Sequence, residues 1–288
     1  MKKLFLFVLM MSVSLGVFAY NENNKVYLGI ESGTYKYREP HLDYPISDKG
    51  DKLGVSVEWV GRHILAASGL SDESDKSFAT FELRYITGKV DYTGFLMDGT
   101  PHVTKGEKDW YIEGRITLGE VYDLGGNFEI WPYLGFGYRY LVNDGSKVDP
   151  AAYKRISKYM YVPIGAKLSK SFSNGVSFTL TGEFDWFLSG EQASALGHLI
   201  PEIESRYIYN SQNRGVGCRF GLKAEVPLSK KLGFFVEPYY RFWKIQNSEL
   251  GTSDVHVSGN TQWWYYNIPL YEPFNTTREA GIRAGIYF

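Results

Sequence analysis

The chain has 288 residues, a formal net charge of −1 and a single cysteine, Cys218. That charge weighs against nucleic acid or a polybasic membrane anchor as the working principle, and one cysteine excludes an intramolecular disulfide. Composition departs from the average in its aromatics, 17% of residues with 23 tyrosines, and in its 31 glycines.

Lys2 and Lys3 precede an apolar run from Leu4 to Phe18, broken only by Ser12, Ser14 and Gly16 and ending in Val17-Phe18-Ala19. A charged start, a short apolar stretch and a small residue at the end make an export signal. About fifteen residues give a helix of about 22 Å, short of the ~30 Å hydrocarbon core. Residues 1–19 are therefore expected to be a cleaved signal peptide and 20–288 the mature domain.

Alternation of apolar and polar residues with period two then recurs to the end of the chain. It predicts strands at 26–37, 53–61, 78–89, 110–122, 128–141, 158–168, 176–188, 216–228, 232–245 and 278–288. Asp123 to Gly126, Ser171 to Gly175 and Ser229 to Lys231 read as tight turns. Between them fall long connections at 38–52, 90–109, 142–157, 189–215 and 246–277. An even number of strands with alternately short and long connections predicts an all-β, ten-stranded antiparallel up-and-down transmembrane barrel, long loops outside. Residues 62–77 misfit: a short turn is expected there, yet the segment is long and holds Asp72-Glu73-Ser74-Asp75. Pro132, Pro163 and Pro238 fall inside predicted strands although each removes a ladder donor.

The alternation separates two chemical faces. One carries Val55, Val57, Phe81, Leu83, Ile116, Leu118, Ile164, Leu180, Phe220, Phe234 and Ile282, among others. The other carries Glu31, Glu58, Glu82, Glu113, Glu183, Asp185, Glu225, Glu237 and Glu279, with Arg84, Arg115, Arg139, Lys167, Arg219, Lys223, Arg241 and Arg283. A soluble sandwich shows the same alternation with its charges outward; a membrane barrel puts them inside. The export signal, the unequal connections and aromatics at strand ends (Tyr37, Trp110, Tyr140, Tyr159, Trp186) favour the barrel. Nine acids and eight bases in a narrow lumen are expected to pair into a plug.

Trp131-Pro-Tyr-Leu-Gly-Phe-Gly-Tyr138 resembles the Pro-Tyr-x-Gly-x-Gly strand of opacity-type porins. Ala280-Gly-Ile-Arg-Ala-Gly-Ile-Tyr-Phe288 resembles the closing strand of such barrels. The resemblance implies an outer-membrane barrel, with Phe288 in the signal read by the barrel-insertion machinery. Length and strand count are also similar to omptins, the ten-stranded outer-membrane proteases. Their pattern, an Asp-x-Asp in one outer loop and an Asp-x-His in a later one, is not matched. The second outer loop has Asp91 and Asp98, Leu196 stands two residues before His198, and Asp254-Val255-His256 falls in the fifth loop. His256-Val257-Ser258 matches the His-x-Ser spacing of outer-membrane lipid hydrolases, but among residues of ordinary loop composition.

The histidines at 41, 63, 102, 198 and 256 are scattered without metal-ligand spacing, and Asp72 to Asp75 lacks the spaced oxygens of a calcium loop. No metal or cofactor is expected. Trp263-Trp264-Tyr265-Tyr266 is the candidate surface-binding patch. The expected partners are outer-membrane lipid, the insertion machinery and an extracellular or envelope ligand at the outer loops. The expected function is that of a non-enzymatic surface protein with a blocked lumen. A narrow channel for small solutes and a surface hydrolase are the alternatives.

Overall fold

The computed structural model describes residues 23–40, 45–70, 75–96, 98–196, 207–256, 263–268 and 270–288, with backbone alone at 253–256 and 263–268. The expected export signal at 1–19 lies outside the described residues. The elements are β1 (Asn24–Glu39), β2 (Ile46–Arg62), α1 (Ile64–Ala67), β3 (Ser77–Phe95), β4 (Pro101–Glu120), β5 (Tyr122–Gly125), β6 (Phe128–Asp144) and β7 (Lys154–Ser171). They continue with β8 (Ser177–Ser194), β9 (Ile208–Gln212), β10 (Gly215–Pro227), β11 (Gly233–Ile245), β12 (Gly251–His256), β13 (Trp263–Ile268) and β14 (Asn275–Tyr287).

Ten strands close an antiparallel barrel in the order β1, β2, β3, β4, β6, β7, β8, β10, β11 and β14. The seam joins β14 to β1, with Tyr27 opposite Tyr287 and Arg38 opposite Thr276. Phe288 completes it, exchanging backbone hydrogen bonds with Val26 at 2.8 and 3.0 Å. β5 prolongs the β4 edge along β6, and β9 prolongs the β10 edge along β8. β12 and β13 form a hairpin at the far end of the wall. Among the described residues no helix is long and apolar enough to cross a membrane.

Every predicted strand is present, and several are longer than expected at the end that carries the long connections. The expected loops at 38–52, 90–109 and 142–157 are mostly wall: β1 and β2 are joined through 40–45, β3 and β4 through 96–100, and β6 and β7 through 145–153. The correction has a clear cause. Outward residues there turn polar (Lys36, Arg38, Lys49, Asp51, Lys89, Asp91, Lys108) while the ladder goes on pairing, so the apolar alternation stops where the strand does not. At ~3.3 Å per residue and a tilt near 40°, the 20 residues of β4 rise about 50 Å, twice the ~25 Å apolar band of a membrane barrel.

That band is visible on the outer surface. Ile30, Leu53, Leu134, Leu180, Phe220 and Ile282 are all more than half exposed. Its upper edge is marked by Tyr85, Trp110 and Tyr140, whose rings stand 6.0 and 5.8 Å apart in sequence around the wall, the place where amphipathic rings meet headgroups.

The three awkward prolines have one explanation. Pro238 pairs with β14 opposite Ile282, while the β10–β11 register breaks between Gly221–Tyr239 and Ala224–Val236. Pro163 lies opposite Asp185 on β8, and the β6–β7 register breaks between Leu134–Ile164 and Gly137–Tyr161. Pro132 pairs with Ala166, on a strand whose other partner changes from β4 to β5 at that point. Each proline thus sits where one side of its ladder is interrupted and its missing N–H has no bond to make.

The misfitting 62–77 connection holds α1. Asp75 Oδ2 accepts from the backbone of Ala66 (2.7 Å) and its Oδ1 from that of Ser77 (2.8 Å), fastening the helical turn to the start of β3. Asp72, Glu73 and Ser74 lie outside the described residues. The β5–β6 turn runs through Gly125, Gly126 and Asn127, all with positive φ, which is why glycine is used there.

Candidate functional site

The seventeen charged residues on the inward face of the sequence pattern lie inside the barrel, and each has an opposite charge within 4.0 Å. They come from all ten strands of the barrel, so closure of the sheet is what brings them together. Their arrangement is layered.

The densest layer crosses the middle of the lumen. Arg84 Nε donates to Glu31 Oε1 at 2.8 Å and Nη1 to Glu113 Oε2 at 3.0 Å. From the opposite wall Arg219 donates to both oxygens of Glu113, at 2.9 and 2.7 Å, and through Nε to Asp185 at 2.8 Å. The Tyr161 hydroxyl donates to Glu113 Oε1 at 2.8 Å. Arg139 donates to Glu279 at 2.6 Å and stacks 3.9 Å over the Tyr111 ring, whose hydroxyl also reaches Glu279. Arg84, Glu113 and Asp185 are at most 1% exposed. Bidentate guanidinium–carboxylate pairs with further hydrogen bonds are the geometry in which buried charge is tolerated.

Aromatic groups thicken this layer on its outer side. Tyr159, Tyr161, Phe187, Trp243 and Ile245 form one buried cluster, with Tyr161 edge-on to Trp243 at 5.0 Å. Tyr35, Tyr37, Ile86, Val90, Tyr111 and Leu141 form another. Gly137 makes the first possible: a Cβ there would stand 2.2 Å from the Tyr161 ring.

On the turn side the remaining ion pairs surround a cavity of ≈ 240 Å³. Arg115 bridges Glu82 (2.9 Å) and Glu183, and Arg283 reaches Glu58 (2.9 Å), Glu82 (3.2 Å) and Glu237. Lys223 donates to Glu58 at 2.8 Å, and Lys25 to Glu225 at 3.2 Å.

Past the aromatic girdle, in the polar outer part of the wall, lies a group that the sequence reading missed. Arg155 pairs with Asp48 and stands 3.6 Å from Glu39. The Tyr37 hydroxyl is within hydrogen-bond distance of two carboxylates, Glu39 at 2.7 Å and Glu272 at 2.9 Å. Burial, reinforced by Glu272, pushes the Glu39 carboxyl up to about 7. Burial together with Asp48 does the same to Glu107. Lys52 pairs with Asp109 and sits 3.3 Å over the Tyr35 ring. These residues continue the inward parity of Glu31, Glu58 and Glu113; because the outward face is polar there, the sequence pattern alone reads as loop.

The other candidate residues separate into two groups. Trp263 to Tyr266 lie on β13, paired with β12 with Val255 opposite Trp264, a hairpin where a loop was expected. Their side chains, those of Asp254 and His256, and all of Ser258, His41 and His198 lie outside the described residues. Asp91 accepts from the backbone of Gly106 and Asp98 from that of Thr100, both at 2.9 Å, so both acids serve local turns. His102 meets Asp149 at 2.6 Å near Thr104 at the rim.

No family model and no curated sequence matches this chain. Among solved structures it is similar to the outer membrane protease OmpT from Escherichia coli, with a TM-score of 0.58 at 10% identity, over 93% of this chain and 97% of that one. Weaker likenesses are to the translocator domain of the autotransporter NalP from Neisseria meningitidis (TM-score 0.37, 11% identity, 95% and 92% covered) and to Ail of Yersinia pestis (TM-score 0.31, 8% identity, 92% and 99% covered). The first establishes a shared fold, that of an outer-membrane β-barrel.

Proposed function

We propose that this chain is exported to the bacterial outer membrane, where it forms a sealed, non-enzymatic barrel that holds its polar outer section above the lipid as a binding surface. The observation that carries the reading is the mid-lumen layer of Arg84, Glu31, Glu113, Arg219 and Asp185, whose charges are spent on one another and are almost fully buried. A conducting pore needs a continuous wet path, and a guanidinium–carboxylate layer closed by Tyr161 and Trp243 is a poor one. The non-enzymatic part is supported by the use of Asp91 and Asp98 in turn hydrogen bonds. The apolar band and its aromatic edge support the membrane location.

Reconstitution in a planar bilayer tests the reading. The refolded chain should insert without steady conductance. Large, ion-selective currents from the unaltered protein would overturn it in favour of a channel.

A further inference from the structure

The cavity on the turn side of the seal has a chemistry that the seal does not account for. Eight basic side chains and six carboxylates line it. Arg219 belongs to the central layer and is spent on Glu113 and Asp185; without it seven bases still face six acids. The imbalance is concentrated on Glu58. Its Oε2 accepts from Lys223 (2.8 Å) and Arg283 (2.9 Å), and Lys167 stands 3.5 Å from its Oε1. Three cations share one carboxylate, and Lys167 donates no hydrogen bond among the described residues.

Arg241 repeats the pattern at the inner end. Its guanidinium stacks 3.9 Å over the Tyr239 ring, and its nearest carboxylates, Glu31 and Glu279, are 3.6 and 3.9 Å away. It too donates no hydrogen bond among the described residues, and its buried Nη1 has no hydrogen-bond acceptor there. A stacked guanidinium carries five N–H donors in a fixed fork and an ammonium three. Both line the same cavity, and a buried cation without an acceptor is costly.

We propose that this cavity is a binding site for a small oxyanion, a carboxylate or phosphate, held by Lys167 and Arg241 and admitted from the turn end of the barrel. At ~30 Å³ per water, ≈ 240 Å³ is room for about eight waters, enough for such an ion with part of its hydration. The anion supplies the acceptors that Glu58 cannot divide among three cations, and its charge offsets the local excess.

The test is titration of the refolded full chain in detergent with inorganic phosphate, and separately with citrate, at constant ionic strength set by chloride. Calorimetry should show saturable binding of at least one of them, weakened fivefold or more by Lys167→Gln and by Arg241→Gln. Lys167 is tied only by one long contact, so Lys167→Gln should keep the wild-type circular dichroism. Thermal unfolding gives a second measurement: in Glu58→Gln, which removes the shared carboxylate, the bound anion should raise Tm by more than it does in the wild type. Absence of saturable binding for both anions, binding unchanged in both basic variants, or a smaller Tm gain in Glu58→Gln would each overturn the site. A steady current through the barrel would defeat the sealed reading while leaving this titration untouched, so the two failures are distinguishable.

Discussion

The two carboxylates on the Tyr37 hydroxyl make stability depend on pH in a defined direction. A phenol has one proton to give, yet Glu39 and Glu272 both lie within hydrogen-bond distance of it. One contact therefore needs the carboxyl to be the donor, so one of the two acids keeps a proton in the folded protein. Arg155 opposes this weakly, being 3.6 Å from Glu39 and engaged with Asp48, while burial and Glu272 raise Glu39 from 4.5 to about 7. Between those values the folded chain holds a proton that the unfolded chain has released. The stabilising protonation is thus complete below pH ~4.5 and lost as pH rises through about 7, a difference of about 3 kcal/mol. Glu107 titrates with the same sign. Glu39→Gln keeps a neutral donor at every pH. It should flatten much of the decline and be the more stable protein at pH 8, by up to about 3 kcal/mol. Urea unfolding of detergent-refolded protein from pH 4.5 to 8 measures both curves. Wild-type stability that is level or rising over that range, or a Glu39→Gln variant weaker than wild type at pH 8, would refute the shared-proton argument.

Two further outcomes are expected. Leu180→Arg or Phe220→Arg, on the exposed band, should cost about 2–4 kcal/mol in lipid bilayers; equal stability to wild type in bilayer unfolding would show that these faces do not meet hydrocarbon. Glu113→Ala removes the acceptor shared by Arg84, Arg219 and Tyr161. It should cost about 3–5 kcal/mol or open a measurable leak, and a stable, silent variant would mean that the layer is solvated.

Much of the barrel was legible in the sequence because a wall between lipid and a polar lumen writes both faces into one period-two pattern. The lower strand ends were marked by tight polar turns, apart from the connection at 62–77. The upper ends were not, because in water the outward face of a paired strand is as polar as a loop, as Lys36, Arg38, Lys49 and Asp51 show. Inward parity alone continued there, and following it from Glu31 through Tyr35 and Tyr37 reaches Glu39. The pairing of that residue with Glu272 had no local signature, since they lie 233 positions apart in the sequence and meet only on closure. The prolines were legible as residues but not as gaps, because an interruption of one ladder is a property of two strands.

The seam between β1 and β14 makes assembly order part of the design. Every other neighbouring pair in the wall is consecutive along the chain apart from short additions, whereas Tyr27 meets Tyr287 across nearly the whole length. Contacts of such separation form late, since their entropy of closure must be met before they return anything. Until then β1 and β14 each present a row of open backbone donors and acceptors, which hydrocarbon does not satisfy and which another chain's strand does. A nascent wall of this kind is therefore most prone to misassociate with its own copies, and Phe288, last in the ladder with Val26, is the point at which that hazard ends.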